Sequence, residues 1–215
     1  CSISPKFTFF KCIQMKSKSF LILLTIGNLL TVEAQEKKQT MNPFFQPYDT
    51  PFNVPPFDKI RIVHFKPAIL EGIKKHEAEI NLIADNTEAP TFDNTILAME
   101  NAGELLSEVN RVFANYNSAN TSDELQAIAK ETAPVLSAHG DNIALNEKLF
   151  ARVKTLWDKK ESLNLNQEQA KLLENRYKYF VRSGANLSEA DKDKLRKINA
   201  DLSLTSLKYG QNILA

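Results

Sequence analysis

The sequence has little cysteine, glycine and histidine, and its charge is almost balanced. Both cysteines, Cys1 and Cys12, lie at the very start of the 215-residue chain, so the remainder offers no thiolate or disulfide. Six glycines are too few for the many turns of an all-β sandwich or barrel. With 27 basic and 26 acidic residues the chain has no excess of positive charge of the kind that binds nucleic acid, and we expect no nucleic-acid partner.

The beginning of the chain has the pattern of an export signal. Residues 1–14 precede the first methionine, and we interpret them as read-through from upstream sequence. Residues 15–34 combine a basic start, the apolar run Phe20–Leu30 and a small-residue cleavage pattern ending at Ala34. That run is roughly 11 residues long, whereas a membrane-spanning helix needs about 20. We therefore expect an exported protein, periplasmic or secreted, without a stable membrane anchor.

Residues 35–58 are predicted to form an extended arm. Prolines and aromatic residues alternate there, which excludes a helix or a central strand and favours an arm that lies on an apolar surface. The residues concerned are Pro43, Phe44, Phe45, Pro47, Tyr48, Pro51, Phe52, Pro55, Pro56 and Phe57.

Residues 59–215 are predicted to form an all-α antiparallel bundle of about six helices. A first helix begins at Pro67 and ends near Asp85, and a second long one starts near Asp93 or Asn94. A third follows a capping pattern at Thr121–Glu124, and Pro134 should kink it. The apolar stripes of these three helices are Ile69, Ile73, His76, Ile80 and Ile83; Ile96, Met99, Gly103, Leu106, Val109 and Phe113; and Leu125, Ile128, Val135, Leu136 and His139.

Three further helices complete the predicted bundle. The fifth should end at Ser183 with Gly184 as its left-handed cap, and the sixth should open at Ser188 and continue towards Ala215 without a stop signal. We interpret that missing stop as a truncation of a larger protein. The stripes are Leu149, Val153, Leu156 and Trp157; Ala170, Leu173, Tyr177 and Phe180; and Leu195, Ile198 and Leu202.

The three histidines do not form a recognisable metal motif. His64, His76 and His139 are scattered, and His76–Glu77 begins an H-E-x-x-H pattern whose last position is Ile80. We therefore assign no catalytic and no metal-binding residue, leave the substrate-binding residues unknown, and interpret His76 as a half-buried packing residue. There is also no nucleophile elbow and no phosphate-binding loop.

Two other groups of side chains are interpreted as structural. The basic residues Lys192, Lys194, Arg196 and Lys197 alternate with Asp191, Asp193 and Asp201, which is typical of a solvated helix face. Tyr177, Tyr179 and Phe180 could line a groove, but their helical spacing favours a place in the core.

Several short segments, taken in order, resemble the thimet-oligopeptidase-like zinc metallopeptidases, and the peptidyl-dipeptidase branch more than the oligopeptidase A branch. The resemblance covers residues 42–215. The segments are Asn42–Phe44, Phe65–Ala68, Phe92–Ile96, Ala98–Glu100, Leu149–Val153 running to Trp157, Glu161–Leu163 with Leu165, and Gly184–Leu187 followed by Asp191 and Lys192.

The resemblance implies a two-lobed, almost all-helical enzyme around a deep channel. In that family an H-E-x-x-H helix and a later glutamate hold zinc, and the enzyme releases C-terminal dipeptides from oligopeptides. Those ligands would lie downstream of this chain, which would supply a channel wall, lack activity alone and need the missing catalytic lobe as its partner. The alternative is a stand-alone secreted helical module that binds a partner protein.

Overall fold

The structure is a computed structural model that describes residues 41–214, and all regular elements of this part of the chain are helical. The predicted all-α class is therefore confirmed. The predictions for residues 1–14, residues 15–34 and the start of the arm at 35–40 fall outside the described residues. Within 41–214, no helix has both the length and the apolar character needed to cross a bilayer.

Six long helices and one short helix make up the fold of residues 41–214. They are α1 (Ile62–Ala84), α2 (Ala98–Asn101), α3 (Glu104–Ala119), α4 (Asp123–Ala144), α5 (Glu147–Asp158), α6 (Gln167–Arg182) and α7 (Glu189–Leu214). A π-helical turn, Phe92–Leu97, leads directly into α2, and 3-10 turns lie at Pro43–Phe45, Pro51–Asn53 and Lys160–Ser162. Helix α1 packs on α3 and α4, α4 packs on α7, and α5 packs on α6.

Capping residues fix the helix ends much as predicted. The Ser122 hydroxyl accepts a hydrogen bond from the Leu125 amide at 3.3 Å and caps α4. Gly184 follows α6 in the left-handed conformation, at φ +92°. Helix α4 continues through Pro134, and the kink expected there stays a prediction.

Two predicted helix boundaries are wrong. Helix α1 begins at Ile62, not at Pro67, and the Arg61 amide donates to His64 Nδ1 at 3.0 Å as its cap. Proline inside a helix costs one backbone hydrogen bond, but the start at Ile62 carries Phe65 into the core with 0% exposure. The predicted second helix is interrupted between α2 and α3, where Gly103 has φ +78°.

The core face predicted for the last helix is wrong at two of its three positions, since Leu195 is half-buried beside Gly184 but the other two are exposed. Ile198 and Leu202 are 60% and 58% exposed. Helix α7 instead packs on α4 through polar contacts, because Asn199 Nδ2 donates to Asp141 Oδ1 at 2.7 Å and Arg196 Nη1 donates to Asn142 Oδ1 at 2.9 Å. Two other residues of the predicted stripes, Val135 and Ala170, are exposed as well.

Two hydrophobic clusters form the interior. The first core holds the beginning of α1 against α3 and α4, and its buried members are Phe44, Ile60, Phe65, Ala68, Ile69, Leu106, Val109, Val112 and Leu125. The second core holds the end of α1 and the π-turn against α5 and α6, and its buried members are Ile80, Ile83, Ala84, Ile96, Met99, Leu149, Phe150, Val153, Leu156, Leu173 and Phe180.

The described part of the arm is irregular chain with two single turns. Phe44 is buried with its ring centroid 5.6 Å from that of Phe65, and Phe57 stacks on Tyr116 at 6.1 Å. These contacts agree with an arm that lies on an apolar surface. Phe52 departs from that expectation because it is 98% exposed.

Candidate functional site

Two of the three histidines meet in space, although 63 residues separate them in the sequence. His76 on α1 and His139 on α4 are joined by a hydrogen bond of 3.0 Å between Nδ1 of His76 and Nε2 of His139. His139 is 5% exposed and its other nitrogen, Nδ1, is buried without a hydrogen-bond partner. His64 stays apart at the start of α1, where its Nδ1 accepts the Arg61 amide.

The break at Gly103 completes this cluster. A Cβ at Gly103 would lie 2.7 Å from His76 Nδ1, so the imidazole packs directly on the glycine backbone. The Gly103 amide donates to Glu79 Oε2 at 2.7 Å. We call His76, Glu79, Gly103 and His139 the histidine seam. Sequence reasoning missed it because its signal was only that each histidine lay on the apolar stripe of a different helix.

Burial favours the neutral form of both imidazoles of the seam. Desolvation lowers the pKa of His76, and the neighbouring His139 lowers it further, while Glu79 opposes the shift. Desolvation also lowers the pKa of His139, against an opposing effect of Glu77. A neutral pair can share a single proton across the 3.0 Å contact, with one ring as donor and the other as acceptor.

The residues of the seam do not fit a catalytic zinc ion. Such a site needs three protein ligands and an open position. The two facing imidazole nitrogens are hydrogen-bonded to each other, and Glu79 Oε2 accepts a hydrogen bond from the Gly103 amide. Within residues 41–214 no cluster of three or more histidine, cysteine, aspartate or glutamate side chains is arranged to hold a metal ion.

A buried arginine joins two of the segments that carry the family resemblance. Arg152 on α5 is 7% exposed, and its Nη1 donates to Asn86 O at 2.7 Å and Glu88 O at 3.1 Å. Its Nη2 donates to Asn94 Oδ1 at 2.9 Å, and the same Asn94 oxygen accepts the Thr91 amide at 2.8 Å. Arg152 therefore holds the loop after α1 and the start of the π-turn on α5.

The basic cluster on α7 is only partly a solvated face. Lys192 was expected in solvent but is 3% exposed, and its Nζ donates to Glu147 Oε1 at 2.9 Å and Glu189 Oε1 at 2.7 Å. Lys192 therefore links the start of α7 to the start of α5. The spacing of residues along one helix could not predict this contact. Lys194, by contrast, forms the expected local pair with Asp191 at 2.8 Å.

The aromatic residues of α6 divide between core and surface. Phe180 is fully buried, Tyr177 stacks on Trp157 at 4.7 Å between ring centroids, and Tyr179 is 42% exposed. Lys160 Nζ lies 4.6 Å above the Trp157 ring. Trp157 thus contacts both Tyr177 and Lys160, and it lines an open groove of about 540 Å³.

An apolar row remains uncovered along α7. Its members recur four, seven and four residues apart, so they lie on one helix face, and each is more than half exposed: Ile198, Leu202, Tyr209 and Ile213. We call these four residues the α7 stripe.

Comparison with known proteins finds relatives among the peptidases. The chain is 42% identical over 176 residues to the dipeptidyl carboxypeptidase of Escherichia coli (strain K12), an alignment that covers 82% of this chain and 26% of that protein. It is 37% identical over 174 residues to the enzyme of the same name from Salmonella typhimurium, covering 81% and 26%. Oligopeptidase A of Escherichia coli is 26% identical over 168 residues. No protein-family model matches the chain.

These relatives agree with the resemblance found in the sequence. The chain is related to the thimet-oligopeptidase-like peptidases, as the sequence predicts, and the identities are higher to the dipeptidyl carboxypeptidases than to oligopeptidase A. The chain spans about a quarter of the length of these relatives.

Proposed function

We propose that the chain is part of an exported zinc metallopeptidase of the peptidyl-dipeptidase type. Such an enzyme hydrolyses short oligopeptides and releases dipeptides from their C-termini. The observation that carries the proposal is the 42% identity to a dipeptidyl carboxypeptidase over 82% of the chain. The export signal at residues 15–34, followed by the mature chain, supports a periplasmic or secreted location.

Within that enzyme this chain would supply one wall of the channel and no catalytic group. The segments that resemble the family support this role because their side chains are used for packing: Phe44 on Phe65, and Arg152 on Asn94. The donor set of the histidine seam does not fit zinc, so we place the zinc ligands and the general base in sequence outside this chain. The isolated chain is then expected to be inactive.

The α7 stripe is the surface we assign to the missing catalytic lobe. Four large side chains in one row would expose apolar area that a partner should cover. The relatives are about four times as long as the matched segment, which provides a partner of sufficient size within one polypeptide. The proposal thus explains why α7 packs on α4 with its polar side.

A chimera tests the function. The segment of the Escherichia coli dipeptidyl carboxypeptidase that aligns with this chain is replaced by the matching segment of this chain. The purified chimera is incubated with an N-terminally blocked tetrapeptide, and the products are identified by mass spectrometry. We expect release of the C-terminal dipeptide. A folded, zinc-loaded chimera that releases none would overturn the proposal.

The α7 stripe is tested in the same chimera. Ile198→Asp combined with Leu202→Asp should lower the yield of active enzyme several-fold, because two charges would enter the contact with the catalytic lobe. Leu82→Asp is the matched control, since Leu82 is 76% exposed on α1 and lies outside the stripe. Equal activity of both variants would remove the stripe from the interface.

Genomic sequence separates this proposal from a stand-alone binding module. Coding sequence that continues beyond Ala215 into an H-E-x-x-H segment is the outcome we expect. An in-frame stop directly after Ala215 would favour the secreted module, with the α7 stripe and the exposed Phe52 as its contact surface.

A further inference from the structure

The histidine seam lies at the boundary between the two cores. Along α1, Ile73 packs on the first core and Ile80 belongs to the second, with His76 between them. Along α4, Leu136 packs on the first core and Ile143 on the second, with His139 between them.

The third segment crosses the boundary at the same level. Met99 of α2 belongs to the second core and Leu106 of α3 to the first, and Gly103 lies between them. The polar contacts among His76, His139, Glu79 and the Gly103 amide therefore replace apolar packing where all three segments pass from one core to the other.

The contact between the imidazoles holds only while the pair carries a single proton on its facing nitrogens. One added proton can go to an outer nitrogen and leave this hydrogen bond in place, but protonation of both rings places two N–H groups face to face at 3.0 Å. Protonated His139 would also carry an N–H at Nδ1, a buried atom that has no hydrogen-bond partner. Geometry alone therefore disfavours the doubly protonated pair.

The charged groups around the seam come mainly from α1. Glu79 acts on His76 and Glu77 acts on His139, and each favours the protonated imidazole. Gly103 presents backbone only. Asp141, two residues after His139 on α4, is directed to Asn199 of α7.

We propose that the histidine seam is a pH-sensitive hinge between the two cores, in which protonation of both His76 and His139 breaks the imidazole hydrogen bond and loosens α1 from α4. The proposal is independent of the peptidase function. It makes the relative position of the two cores responsive to acidification.

The sign of the pH dependence follows from the direction of the shifts. Both folded-state pKa values lie below the ordinary histidine value of 6.5. Below pH 6.5 the unfolded or opened state therefore binds more protons than the closed state, and the seam loses stability as pH falls towards the folded-state pKa values. Above pH 6.5 the contribution of the pair is fully present.

The test uses histidine hydrogen–deuterium exchange of the full chain, read by mass spectrometry at low protein concentration. This method gives the pKa of each imidazole in the wild-type protein. We expect His76 and His139 both to titrate below pH 6.5. Amide exchange in α1 and α4 next to the seam should be several-fold faster at pH 5.5 than at pH 7.5, after correction for the intrinsic exchange rates. Titration of either imidazole at or above pH 6.5, or pH-independent amide exchange, would overturn the proposal.

A variant isolates the pair from the rest of the protein. His139→Gln keeps a hydrogen-bonding group near His76 but removes one titrating partner, so most of the pH dependence of amide exchange at the seam should disappear. His64→Gln is the control, because His64 lies at the start of α1 and should leave that dependence intact. Should His139→Gln fail to fold, the wild-type titration still decides the question.

Discussion

Replacing Arg152 should destabilise the fold more than any exposed charge on the same helix. Arg152→Met keeps an unbranched side chain of similar reach but removes the donors to Asn86 O, Glu88 O and Asn94 Oδ1. Hydrogen bonds to a charged group contribute roughly 1.5–3 kcal/mol each, and release of the buried guanidinium offsets part of their loss. We therefore expect the free energy of unfolding to fall by about 3 kcal/mol.

The assay is urea unfolding followed by circular dichroism at pH 7.5, with Lys148→Met as the matched control. Lys148 lies on the same helix as Arg152 and pairs with Asp85 at the end of α1, but its side chain is 72% exposed. An exposed pair of this kind contributes at most about 1 kcal/mol. A loss no larger for Arg152→Met than for Lys148→Met would refute the role of Arg152 as the link between loop and helix.

Four further changes in stability or solubility are expected. Gly103→Ala should lower the free energy of unfolding by more than about 1 kcal/mol, because a side chain is strained at φ +78° and would collide with His76. Gly140→Ala is the matched variant: a Cβ there meets open space, so it should stabilise α4 by about 0.5 kcal/mol. Thermal melts of both variants check this. Leu149→Ala should cost about 3 kcal/mol in urea, since Leu149 is 0% exposed in the second core. Ile198→Ser combined with Leu202→Ser should raise the highest concentration at which the isolated chain remains monomeric, as measured by light scattering. No change would argue against self-association through the α7 stripe.

Local signals predicted the parts of the fold that short stretches of chain determine. The cap Ser122 lies within the predicted capping pattern Thr121–Glu124, and Gly184 takes the predicted left-handed cap position, because both depend on interactions within a few residues. The start of α1 was misplaced at Pro67, because burial of Phe65 outweighs the hydrogen bond that the proline loses. Tertiary packing therefore overrode a local preference at that point.

The spacing of residues within a helix could not predict contacts between distant parts of the chain. An apolar residue at Ile198 suits a core stripe, but the rotation of α7 is set by polar contacts to α4, such as Asn199 to Asp141. The meeting of His76 and His139 depends on how α1 crosses α4, which no pattern within either helix contains. Lys192 is a third case, since its partner Glu147 lies 45 residues away.

The most direct test of the account is an activity measurement on the purified 215-residue chain. The chain is incubated with zinc and an N-terminally blocked oligopeptide, and mass spectrometry follows the peptide over time, with the Escherichia coli dipeptidyl carboxypeptidase as positive control. The account predicts that the control releases C-terminal dipeptides while the peptide stays intact with the chain alone. Zinc-dependent cleavage by the chain would contradict its assignment as a wall without catalytic groups.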